Sequence, residues 1–190
     1  MATIPKSIEA EFGRVACPRR ALIRKVQIGG VSQNDLLLEL EQGGFLLNEA
    51  GRTLLLHDSF STASNITVIE TCEMTVADLG FVRGASMADI FDRASQIGMV
   101  PCPIELAPHL RLQYQDQPEG AVGQLPTQHR APPGSLTITS KPVAMDEDTP
   151  KGFYLRRMEG VLWLRGYRSG PEQVWSPQDR LLFALQPAAA

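Results

Sequence analysis

The chain reads as an α+β protein, with N-terminal helices followed by a mainly antiparallel β-sheet in a single domain. Three observations lead there. Two Ser-x-x-Asp signatures, at Ser32/Asp35 and Ser86/Asp89, each precede an apolar stripe of helical spacing. From Ser135 onward the apolar residues switch to the alternation of strands, broken by Gly- and Pro-containing turns. No strand–helix–strand alternation runs through the last 80 or so residues, as a parallel series would require.

The elements follow in order. Residues 1–20 show little periodicity and form an N-terminal extension; the domain spans 21–186 and residues 187–190 are a tail. Ala21–Ile28 is a short strand or a helical turn ending at Gly29-Gly30. A helix capped by Ser32 carries Leu36, Leu37 and Leu40 and stops at Gly43-Gly44. A second, capped by Asn48, runs to His57-Asp58. Asn65–Thr75 is β-branched and reads as a strand, and the Ser86 helix places Ile90, Phe91, Ala94 and Ile97 inward before Gly98.

His109–Tyr114 alternates Leu110, Leu112 and Tyr114 against Arg111 and Gln113, as a strand would. Residues 116–134 are rich in Pro and Gly and read as a long loop; loops beyond about 12–15 residues are commonly functional or disordered. Ser135–Thr139 is a strand, Lys151–Ser169 a hairpin turning at Met158-Glu159-Gly160, and Leu181–Leu185 a closing strand.

Bulk properties narrow the function. The 190 residues carry a net charge of −3, which disfavours a duplex nucleic-acid binder resting on electrostatics alone. Charge is uneven. Residues 31–50 hold Asp35, Glu39, Glu41 and Glu49 with no Lys or Arg, whereas Lys151, Arg156, Arg157, Arg165 and Arg168 face only Glu159 across residues 151–170. Such a patch suits an anionic small molecule or an acidic protein surface. Cys17, Cys72 and Cys102 form no CxxC or CxxxH pair, so no structural zinc site or cofactor is expected. No signal peptide or membrane span is legible, and the expected location is cytoplasmic.

Two constellations carry candidate chemistry. Alternation along the hairpin gathers Tyr154, Arg156, Trp163, Arg165 and Tyr167 on one face, with Arg111 on a neighbouring strand. Guanidinium forks pair with carboxylate or phosphate, and the rings stack flat groups; the plainer reading is Arg-on-aromatic packing across strands. In PCPIELAPH, helical spacing would put Cys102, Glu105 and His109 on one face as nucleophile, orienting group and base, although Pro108 would disrupt such a helix. The plainer reading is a buried thiol beside a turn. The 116–134 loop offers Asp116, Gln117, Glu119, Gln124, Gln128, His129 and Arg130 as groups that could close over a site, and Asp146-Glu147-Asp148 reads as a solvated turn rather than a cation loop.

The runs HLRLQYQDQPEG, KGFYLRRMEGVLWLRGYRS and VWSPQDRLLF resemble a family of small uncharacterised bacterial proteins over roughly residues 20–186. Some members carry a helicase label, but this chain has no GxxxxGK[ST] phosphate loop. The resemblance implies a bacterial source and transfers no activity or site residue. The expected function is therefore a non-catalytic binding module using the Arg/aromatic face. The alternative is an enzyme, either a nucleotide-type transferase or a Cys-dependent hydrolase.

Overall fold

The computed structural model describes residues 21–120 and 131–186, which share one eight-stranded sheet. The elements are β1 (Leu22–Ile28), α1 (Gln33–Gln42), β2 (Leu46–Leu47), α2 (Glu49–Leu55), β3 (Thr67–Thr75) and α3 (Met87–Gln96). They continue with β4 (Met99–Val100), α4 (Leu106–Gln113), β5 (Leu136–Ile138), β6 (Gly152–Met158), β7 (Val161–Tyr167) and β8 (Arg180–Leu185). Strand order is β1-β3-β8-β5-β6-β7-β2, with β4 also bonded to β8.

The α+β class holds, with two corrections. The sheet is mixed, because β5 lies parallel to β8 and β2 parallel to β7. The helices are not all N-terminal to the sheet: β1 precedes α1, and α3 and α4 fall in mid-chain.

The caps form as the residue types require. Ser32 Oγ accepts the Asp35 N–H at 3.2 Å and donates to the Asp35 carboxylate at 2.6 Å; Ser86 and Asp89 repeat the arrangement. Asn48 does more than cap α2. Its Oδ1 accepts from Gly51 and from Gly166 of β7, and its Nδ2 donates to the Gly166 carbonyl. Helix α2 therefore lies directly against the strand, and a Cβ on Gly166 would fall 2.5 Å from the backbone of Ala50.

Helix α4 overturns the strand expected at His109–Tyr114. Pro108 occupies its first turn, where an N–H would have no intrahelical acceptor, so the proline does not break it. Leu106 through Arg111 are all buried, so no polar stripe reveals the helical period.

The sheet separates two apolar cores. On one face α1, α2 and α4 pack over Val26, Leu136, Phe153, Leu155, Leu164 and Leu182. On the other α3 covers Cys72, Met74, Leu181 and Phe183, together with Trp175. Among the described residues no helix is long and apolar enough to cross a membrane.

Candidate functional site

The hairpin register decides which side chains meet. Tyr154 lies opposite Arg165, Arg156 opposite Trp163, and Gly152 opposite Tyr167. Directly paired residues share a face, so all five side chains of the expected set project from one side of the sheet. Phe153, Leu155 and Leu164 project from the other into the core, which fixes the register against slippage. Glu159 (φ 53°) and Gly160 (φ 77°) make the two-residue turn, whose left-handed backbone matches strand twist.

Within this face the Arg165 guanidinium lies 5.1 Å from the Trp163 ring centroid and 6.0 Å from that of Tyr154. Its Nε makes no hydrogen bond. Burial pushes the Tyr154 phenol above its ordinary range, while the positive charges of Arg165 and then Arg156 pull it back. No residue paired across this face is acidic. The Arg165 guanidinium is thus held over two rings, Trp163 the nearer.

Two further residues border the patch. Leu46 of β2 pairs with Trp163 and Thr137 of β5 with Tyr154. Neither position was legible as part of the face, since β2 is only two residues long and the sheet order is not written in the chain. Gly120 approaches from the side: a Cβ there would lie 3.3 Å from Arg156 Nε.

Two members of the expected set belong elsewhere. Tyr167 is half-buried and packs edge-to-face on Trp175 at 5.6 Å, which commits it to the second core. Arg111 is not on a neighbouring strand. It lies on α4, across the sheet from the hairpin face, and is fully buried. It donates to Gln117 Oε1 at 2.6 Å and to the Tyr114 carbonyl, with the Phe45 ring 5.7 Å away. Burial lowers its pKa to about 10, partly offset by the Tyr114 side chain and reinforced by Arg157. Its role is to anchor the segment after α4.

The Cys102–Glu105–His109 constellation comes together only in part. The structure unites Glu105 and His109, with Oε2 3.7 Å from Nε2. Cys102 instead joins the sheet: its N–H bonds the Thr139 carbonyl, it bridges Ser140, and its thiol donates to the Leu182 carbonyl at 3.4 Å. Burial pushes the thiol far above the ordinary range, against a weaker opposing effect of the Thr139 hydroxyl, so no thiolate forms at neutral pH.

The loop residues divide. Gln117 is buried and donates to the carbonyls of Leu155 and Gly134. Glu119 lies 3.5 Å from Arg157 and accepts the Gly160 N–H. Asp116 lies beside them on the surface, whereas Gln124, Gln128, His129 and Arg130 fall outside the described residues. Asp146 is engaged by Thr149, which holds its carboxyl below the usual range. No group of three or more His, Cys, Asp or Glu is arranged to hold a metal among the described residues.

No family model matches the chain, and neither curated proteins nor solved structures give a match.

Proposed function

We propose that this protein is a non-catalytic binding module whose β6–β7 face holds an anionic small ligand. The observation that carries the reading is Arg165 set over the Trp163 and Tyr154 rings, on a face whose strand-paired residues include no carboxylate. A guanidinium backed by two rings is oriented before a ligand arrives, so less freedom is lost on binding. The enzyme alternatives find less support. A transferase reading needs Arg111, which is enclosed on the other side of the sheet, and a hydrolase reading needs a thiolate that burial of Cys102 opposes.

The test is a thermal-shift titration with inorganic phosphate, citrate and a nucleoside monophosphate at low salt. A ligand that binds only the folded state raises the melting temperature by mass action. Arg165→Ala is expected to weaken binding about tenfold or more, and Arg165→Lys to restore little of it, because an ammonium lacks the planar fork. Shifts that persist unchanged in Arg156→Ala and Arg165→Ala would overturn the reading.

An acidic protein surface is the second reading, favoured by the exposed Leu46 and Val161 that flank the arginines. No shift with any small anion, together with capture of an acidic partner lost in Arg165→Ala, would select it.

A further inference from the structure

His109 lies in the second half of the first turn and a half of α4 and is buried against the end of β1. Its Nε2 accepts the Gly29 N–H at 3.1 Å. A ring nitrogen that accepts a hydrogen bond carries no proton, so this contact assigns the neutral imidazole with its proton on Nδ1. Glu105 Oε1 accepts the Ala63 N–H at 3.0 Å. Its Oε2, buried and 3.7 Å from His109 Nε2, has no hydrogen-bond partner. The Gly30 N–H donates to the Ala63 carbonyl at 2.8 Å, tying the two clamped segments to each other.

The pair therefore holds down both the β1–α1 link and the connection from α2 to β3. His109 also borders a cavity of about 340 Å3, lined with it by Gly29, Gly30, Ile66 and Gln113. Glu39 of α1 is the charged side chain lining that cavity. The β1 end and the 60–66 segment meet the pair with the backbone groups of Gly29 and Ala63.

We propose that Glu105, His109 and the Gly29–Gly30 link form a proton-operated clamp. A proton from solvent binds His109 Nε2, the Gly29 N–H loses the imidazole as its acceptor, and the new Nε2–H turns to the Glu105 Oε2. One backbone hydrogen bond is exchanged for a buried ion pair, and the link is released. Gly29 and Gly30 (φ 83° and 79°) have the backbone freedom to move. Release widens the cavity between α1, α4 and the 60–66 segment.

The sign follows from burial, which lowers the His109 pKa below its ordinary value. The unfolded or released state then binds the proton more readily, so the closed clamp is complete above the ordinary imidazole range and weakens as pH falls through it. Burial raises the Glu105 pKa, opposed by the Ala63 and Gly29 N–H groups.

The test is residue-resolved amide exchange on the intact chain at about pH 7.5 and about pH 5, corrected for intrinsic rates. Protection of Gly29 and Gly30 is expected to fall about tenfold per pH unit as pH drops below the ordinary imidazole range, while β6 and β7 keep theirs. His109→Gln, whose side-chain oxygen can accept from Gly29 without titrating, should show no such pH dependence. Glu105→Gln, which still accepts from Ala63, should move the transition to lower pH. Unchanged Gly29 protection once the His109 ring is protonated, pH-dependent loss in His109→Gln, or simultaneous loss across β6 and β7 would each overturn the proposal.

Discussion

Arg111 carries its charge inside the core, and among the described residues no carboxylate pairs with it. Burying a cation in this way is unfavourable unless its donors are engaged; here an amide oxygen and a helix-end carbonyl take its two terminal nitrogens and two rings flank it, while its Nε makes no hydrogen bond. Each hydrogen bond from a charged group contributes about 1.5–3 kcal/mol. Arg111→Ala should therefore cost about 3–5 kcal/mol in urea unfolding, since it empties the site and strands Gln117 and the Tyr114 carbonyl. A cost below about 1 kcal/mol would mean that the burial penalty cancels the anchoring. Residue type alone placed Arg111 among the ligand-binding arginines. What distinguishes it from Arg165 is the side of the sheet on which it sits, and single-residue chemistry carries no record of that.

At the scale of elements, the junction of α2 with β7 holds the hairpin in place. Helix α2 has only seven residues, too short to be stable by itself in water, so packing must supply its stability. Asn48 serves helix and strand together, and its loss removes three hydrogen bonds. Asn48→Ala should destabilise by about 2–3 kcal/mol, above the roughly 1 kcal/mol of an ordinary cap, by thermal or urea denaturation. Gly166→Ala should cost at least as much, because the added methyl meets backbone rather than a yielding side chain. If Gly166→Ala proved neutral, the close approach of helix to strand would be wrong. The Asn48 cap was legible from its position before an apolar run; its second set of bonds, 118 residues away in the chain, was not.

Across the whole molecule, β1 forms one edge of the sheet and carries Leu22 and Ile23 at the surface. Bare edges invite pairing with other chains. Gln113 of α4 meets this hazard: its amide accepts the Gln27 N–H and donates to the Gln27 carbonyl, as a neighbouring strand would. Among the described residues nothing caps the outward groups of Ile23 and Lys25, and Lys25 supplies a charge. Gln113→Ala should increase self-association in light scattering at high concentration while leaving the monomer folded. Unchanged scattering would show that the capped pair of groups does not limit association.

The sequence by itself determined what is local. Helix starts follow from Ser32, Asn48 and Ser86, the hairpin turn from Glu159-Gly160, and the common face of Tyr154, Arg156, Trp163 and Arg165 from a period of two. These depend on neighbours within a few residues, where backbone geometry and hydrogen bonding act directly. Tertiary structure alone decided the identity of α4, the parallel pairings of β2 and β5, the separation of Arg111 from the hairpin face, and the meeting of Glu105 and His109 with Gly29. Helix α4 is enclosed on nearly every side, so burial erased the polar stripe by which a helix is recognised. The other three depend on which distant segments share a core, and that is set by packing of the whole sheet rather than by any short run of residues.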